Sequence, residues 1–176
     1  MMRVDALVAV GGFREELIAG EEPELCMRLR AAGWRIHRID AEMTLHDAAM
    51  AHISQWWRRT VRTGYGFAQG AYLHGAPSEK LWVWESRRAW VWALLVPFAC
   101  VMAGVVFTPW GWLAWLIYPL QILRQQARNP GGLRERALLA LFQLLARFPE
   151  TWGQVKFMHD SLLARHAVLI EYKNML

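Results

Sequence analysis

Residues 89–123, "AWVWALLVPFACVMAGVVFTPWGWLAWLIYPLQIL", contain no Asp, Glu, Lys, Arg or His. A bilayer core is crossed by roughly 20 helical residues, so this run is too long for one perpendicular span. The Pro and Gly of "TPWG", residues 108–111, favour a turn that divides it. The expected spans are 89–107 and a shorter 110–123, the second extending past Gln121 with its arginines reaching back to the interface. Arg87 and Arg88 precede the hairpin, and Arg124 and Arg128 follow it. The positive-inside rule therefore predicts a multi-pass protein with both ends in the cytoplasm. Trp84, Trp90, Trp110, Trp112 and Trp115 suit the aromatic belts at the two faces.

The whole-chain composition agrees with such a segregated arrangement. Eleven tryptophans among 176 residues are many for a soluble domain, while 20% charged residues are too many for a wholly buried bundle. A net charge of +5 suits anionic membrane surfaces or phosphorylated small molecules. Nucleic acid is not the expected partner, because the basic residues precede a membrane segment and no recognised module is present. Cys26 and Cys100 show no zinc-site spacing and predict no disulfide. "MMRVDALVAVGGF" has no basic region followed by a sustained apolar core, so no secretory signal is evident and the early residues are expected to stay cytoplasmic.

The flanks are patterned differently. Residues 1–75 predict mixed helix and strand: a helix over 4–10 stopped by Gly11-Gly12, and a helix over 22–32 with Pro23 in its first turn and Gly33 at its end. "WRIHRID" from Trp34 predicts a short β segment, and a longer helix is expected over 51–72. A linker and the hairpin occupy 76–128, and amphipathic helices occupy 129–176. There "ALLALFQLLA" is too short to span easily and too apolar for an exposed face, so it is expected in or just under the membrane interface. The stretch 152–172 carries Val155, Met158, Leu162 and Leu169 at helical spacing.

Three groups of residues offer chemistry. Glu21 and Glu22 open a helix, where free N–H groups and the macrodipole favour an anion; that suits a general base and equally suits an ordinary helix start. His46 beside Asp47 can ligate a divalent metal, or it can be a turn. Gln55, Arg58, Arg59 and Arg62 fall on one helical face beside Trp56 and Trp57. Guanidinium forks match phosphate oxygens and indole faces stack on sugars or lipid groups, so this face reads either as a substrate site or as an interfacial helix at headgroup depth.

Taken in order, "VGGFREELIAGEEPELCMRLRAAGWRIHRID" and "QWWRRTVRTGYG" followed by a membrane hairpin resemble the C-terminal part of a bacterial family 2 glycosyltransferase. The resemblance implies an α/β partial GT-A subdomain over 1–75, followed by a mainly α-helical membrane region in the bacterial inner membrane. It implies inverting transfer of a sugar from a nucleotide-sugar donor to a membrane-associated or lipid-linked acceptor, with a divalent metal, Mg or Mn, in the full enzyme. In the family's Gly-Glu-Asp segment the last acid is the base, and Glu22 stands there. Glu21 would position the acceptor or the helix start, and Gly11, Gly12 and Phe13 would form the turn under the acceptor. His46 matches a metal or diphosphate position. Gln55 and Arg58 match the first and fourth positions of a Gln-x-x-Arg-Trp motif that cradles diphosphate and acceptor; Arg59 replaces its Trp, which favours single-sugar transfer over polymerisation.

The family's Asp-x-Asp metal motif is absent from this sequence. The expectation is therefore an acceptor-side portion, from a fragment, a truncated reading frame or a split enzyme, that needs a nucleotide-binding half. The alternative is a non-catalytic membrane adaptor that binds anionic lipid or a partner protein through the arginine-rich helix.

Overall fold

The computed structural model describes residues 2–37, 40, 50–75 and 80–163. The described part is 74% helical and contains no strand, so the expected α/β subdomain is replaced by an all-helical arrangement. The reason is visible at Trp34. A strand requires a neighbour to take up its N–H and C=O groups, and no described segment offers one. Trp34 instead packs on the small cluster of Ala6, Leu25 and Leu29, with the Arg3 guanidinium 5.5 Å from its ring centroid.

Helix α1 spans Val4–Ala9 and α2 spans Glu21–Ala31. Pro23 lies in the first turn of α2, where its missing N–H leaves no intrahelical bond unmade. Helix α3, Ile53–His74, is a 22-residue strut that ties the N-terminal helices to the rest of the chain. Its first-turn residue Gln55 caps it, the side-chain oxygen accepting from the backbone N–H groups of Ala51 and His52 at 3.0 and 3.1 Å.

Val83–Val106 forms a continuous 24-residue helix of α4 (Val83–Trp90), a π-helical segment (Val91–Leu95) and α5 (Val96–Val106). At 1.5 Å per residue it is about 36 Å long, enough to cross a bilayer core. Among the described residues it is the one helix long and apolar enough to do so. The return arm is broken, running as a 3₁₀ segment (Trp110–Leu116) and then α6 (Ile117–Gln126). The two arms nonetheless lie antiparallel. Gly104 faces Trp112 near the tip, the Cys100 thiol donates to the Ala114 carbonyl at 3.5 Å, and the Tyr118 hydroxyl donates to the Trp92 carbonyl at 2.9 Å. This last bond has a sequence cause. In the π register Trp92 O faces the nitrogen of Pro97, which has no hydrogen, and Tyr118 supplies the missing donor.

Helix α7, Leu133–Leu145, packs on α6, and α8, Arg147–Leu162, packs lengthwise on α3. Pro149 sits in the first turn of α8, where its missing N–H leaves no intrahelical bond unmade. The α3–α8 crossing is close because both helices place a glycine at it. A Cβ on Gly64 would lie 2.0 Å from the Glu150 carbonyl oxygen, and one on Gly153 would lie 2.0 Å from that of Val61. Farther along, Tyr65 and Tyr72 set their rings 5.2 and 5.9 Å from Phe157.

Candidate functional site

The carboxylates at the start of α2 have divided roles. Glu24, fully buried, is the fixed one. Its two oxygens receive Arg28 Nε at 2.8 and 2.9 Å and Arg28 Nη2 at 2.7 Å, while Arg14 Nε approaches at 3.0 Å and His74 Nε2 at 2.9 Å. Burial pushes its carboxyl up, but the hydrogen bonds from Arg28 and His74 and the charges of Arg28 and Arg14 outweigh burial and hold it below the ordinary range. Arg28 also donates to the carbonyls of Val10 and Gly12, the latter at 2.7 Å. One guanidinium thus ties the turn after α1 to the side of α2, and His74 ties the end of α3 to the same carboxylate.

This clamp shapes what precedes and surrounds Glu22. The segment leading into α2 is strapped along α3: Gln69 accepts from Ile18 N–H at 3.3 Å and donates to the Glu16 carbonyl at 2.8 Å, and Arg62 donates to the Ile18 carbonyl at 2.7 Å. Gly20 then turns the chain into the helix with φ of 85°, and a Cβ there would meet the Trp82 ring at 1.8 Å. Glu21 is half-buried and Glu22 exposed, and neither carboxylate has a partner among the described residues. Glu22 therefore stands at the open, electropositive end of a helix whose base is locked. Gly11 and Gly12 form the turn held by Arg28, with φ of 76° and 72°, and Phe13 beside them is half exposed.

The arginine face of α3 is not one site. Gln55 is engaged as the helix cap and Arg62 as a strap on Ile18. Arg58, Arg59 and Trp57 remain exposed, and neither guanidinium has a hydrogen-bonding or ionic partner among the described residues. Trp56 turns inward, its ring 5.2 Å from Phe142 of α7 in an edge-on contact. His46 and Asp47 lie outside the described residues. Among the described residues no group of three or more His, Cys, Asp or Glu side chains could hold a metal ion, so the residues placed in this structure do not assemble a site for the divalent metal that the resemblance implies.

A second polar group, not anticipated from the sequence, lies at the foot of the apolar helix. Arg147 and Glu150 are both buried and paired at 2.7 Å. Gln154, also buried, accepts from the Ser86 hydroxyl at 2.6 Å and the Trp90 indole at 2.8 Å, and donates to the Ser86 carbonyl at 3.3 Å. These bonds join α8 to the start of the apolar helix. The only advance signals for the two groups were local spacings, Glu24 to Arg28 and Arg147 to Glu150, each of which fits an ordinary surface pair.

No protein-family model matches the chain, and no curated protein or solved structure is detectably similar to it.

Proposed function

We propose that this chain is the acceptor-side and membrane-anchoring portion of an inverting glycosyltransferase, acting at the cytoplasmic face of a bacterial inner membrane on a membrane-associated or lipid-linked acceptor. The observation that carries the reading is the division between Glu22 and Glu24. A clamp of three cationic or hydrogen-bonding side chains is centred on Glu24, leaving the adjacent helix-start carboxylate unpartnered among the described residues and open to a substrate. In this reading Glu22 takes the proton of the acceptor hydroxyl as its oxygen bonds to the anomeric carbon. The bond from that carbon to the nucleoside diphosphate breaks in the same step, and the diphosphate leaves with the electron pair. Glu21 and the turn of Gly11, Gly12 and Phe13 border the acceptor. The nucleotide sugar is held by a separate nucleotide-binding half.

The apolar arm Val83–Val106 and the return arm Trp110–Gln126 are read as a membrane hairpin with both ends cytoplasmic. What supports this is their mutual packing together with the exposure of Leu94, Leu95, Phe98, Val105, Leu113 and Leu120 around them. A reporter fused after Arg128 is expected on the cytoplasmic side; a periplasmic reporter would overturn the hairpin.

The catalytic reading is tested in membranes that carry this chain joined to a nucleotide-sugar-binding half, by following labelled sugar into lipid extracts. Glu22→Gln is expected to lower the rate by roughly 10² to 10⁴ without loss of the protein from the membrane. Full activity in that variant would remove Glu22 from the role of base.

A further inference from the structure

We infer that the first turns of α3 together with α7 form a binding surface for an anionic phospholipid, with Arg58 and Arg59 on the headgroup phosphate and α7 against the acyl chains. The inference rests on the membrane hairpin proposed above and adds a lipid-selective site to it.

The argument begins with α7. Leu138, Leu141, Phe142 and Leu145 recur at helical spacing along one stripe, and each remains between 36% and 46% exposed, so the protein covers this stripe only in part. Two contacts fix where the stripe lies. On one side α7 packs against α6, whose Leu120 and Leu123 are also exposed, so the apolar surface continues from the hairpin onto α7. On the other side Phe142, a member of the stripe, meets Trp56 of α3 edge-on. The N-terminal turns of α3 therefore border an apolar face continuous with the hairpin, while the far end of α3, at His74, is fastened to the Glu24 clamp.

The border has the chemistry of a headgroup layer. Trp56 and Trp57 supply amphipathic rings at the apolar edge, where indoles favour the interface. Arg58 and Arg59 follow at once and are exposed, whereas Arg62, the next arginine along the same helix, is committed to the Ile18 carbonyl. Two adjacent guanidiniums beside an exposed aliphatic stripe complement a phosphate ester that carries acyl chains. A soluble anion would use the arginines and leave the stripe unexplained. A neutral or zwitterionic lipid would cover the stripe and leave the arginines without a net negative charge to face.

The test uses the whole chain in neutral-detergent micelles, titrated with phosphatidylglycerol, phosphatidylcholine or inorganic phosphate, with the unfolding temperature as readout. Phosphatidylglycerol is expected to raise that temperature saturably, and the other two are expected to have little effect. Arg58→Ala combined with Arg59→Ala is expected to weaken the apparent affinity for phosphatidylglycerol roughly 10- to 30-fold, each basic side chain near an anionic surface accounting for about fivefold. Arg35→Ala combined with Lys156→Ala removes the same charge from exposed positions elsewhere and is expected to leave the affinity within twofold. Equal losses in the two double variants would reduce the effect to net charge and overturn the site. An equal response to phosphatidylcholine would overturn the selectivity, and saturation by inorganic phosphate alone would overturn the lipid as the source. Alkaline carbonate extraction of both variants separates this outcome from failure of the hairpin: release of the chain from the membrane counts against the hairpin, and retention with unchanged lipid affinity counts against the site alone.

Discussion

Glu24 and Glu150 are both buried glutamates paired with an arginine on their own helix, yet their surroundings drive them in opposite directions. Glu24 receives three partners from three parts of the chain, Arg14, Arg28 and His74, and is held below the ordinary carboxyl range. Glu150 is bonded to Arg147; burial dominates there, pushing the Glu150 carboxyl up and the Arg147 guanidinium down. The difference shows that burial does not set the state of an acid by itself. Burial opposes ionisation at both acids; at Glu24 the bonds and charges of Arg28, His74 and Arg14 outweigh it, and at Glu150 the charges of Arg147 and Arg88 do not. The difference also points to different roles: the α2 clamp stabilises a turn and a helix start, while the α8 pair sits in a crossing already packed by Gly64 and Gly153.

The strongest way to break the comparison is to strand the under-supported acid. Arg147→Met is expected to cost about 3–5 kcal/mol in urea unfolding of the detergent-solubilised chain, because it leaves Glu150 buried without its bonded counter-charge. Replacing both partners, Arg147→Met with Glu150→Leu, is expected to recover most of that loss, since well-packed apolar residues often substitute for a buried pair at no net cost. If the double replacement is as unstable as the single one, the pair contributes more than mutual neutralisation. Glu24→Gln is expected to cost less, about 1.5–3 kcal/mol, the range for hydrogen bonds to charged groups. Arg14 is 38% exposed and can turn to water, and Arg28 keeps the carbonyls of Val10 and Gly12. A loss exceeding that of Arg147→Met would reverse the ranking.

How far the sequence disclosed this arrangement follows from the range of the interactions involved. The helices announced themselves through glycine stops, the first-turn Pro23 and an uncharged run, all local signals; α1, α2 and α3 fall within two residues of the expected ranges. The β segment at Trp34 failed because strand formation depends on a partner, and periodicity records none. The start of the apolar helix lies six residues before the expected Ala89, because α4 carries Arg87 and Arg88 within the same continuous helix. The local pattern marked Glu21 and Glu22 as a helix start, and α2 does begin at Glu21. The clamp around Glu24 was not legible, since Arg14 and His74 come from ten residues before it and fifty after it. The apparent unity of the arginine face dissolved for the same reason. Helical spacing aligned Gln55, Arg58, Arg59 and Arg62, but capping and a distant carbonyl claimed the first and the last.

The smallest expected effect sharpens the comparison without removing either pair. Both carboxyls start from the same ordinary value of 4.5. Glu24 is depressed in the folded chain, so its contribution is complete above that value and is lost as pH falls through the folded one. Glu150 is raised, so between 4.5 and its folded value the folded chain binds more protons than the unfolded chain, and stability declines as pH rises through that window. The two groups therefore act on opposite sides of the same point. Glu24→Gln is expected to flatten the acid side of the stability profile, and Glu150→Gln to flatten the decline toward neutral pH, whatever each does to absolute stability. Urea unfolding across pH 3 to 7 reads both slopes. A Glu150→Gln variant with the wild-type slope above pH 4.5 would mean that Arg147 already holds that acid ionised in the folded chain, and the contrast with Glu24 would then be one of degree alone.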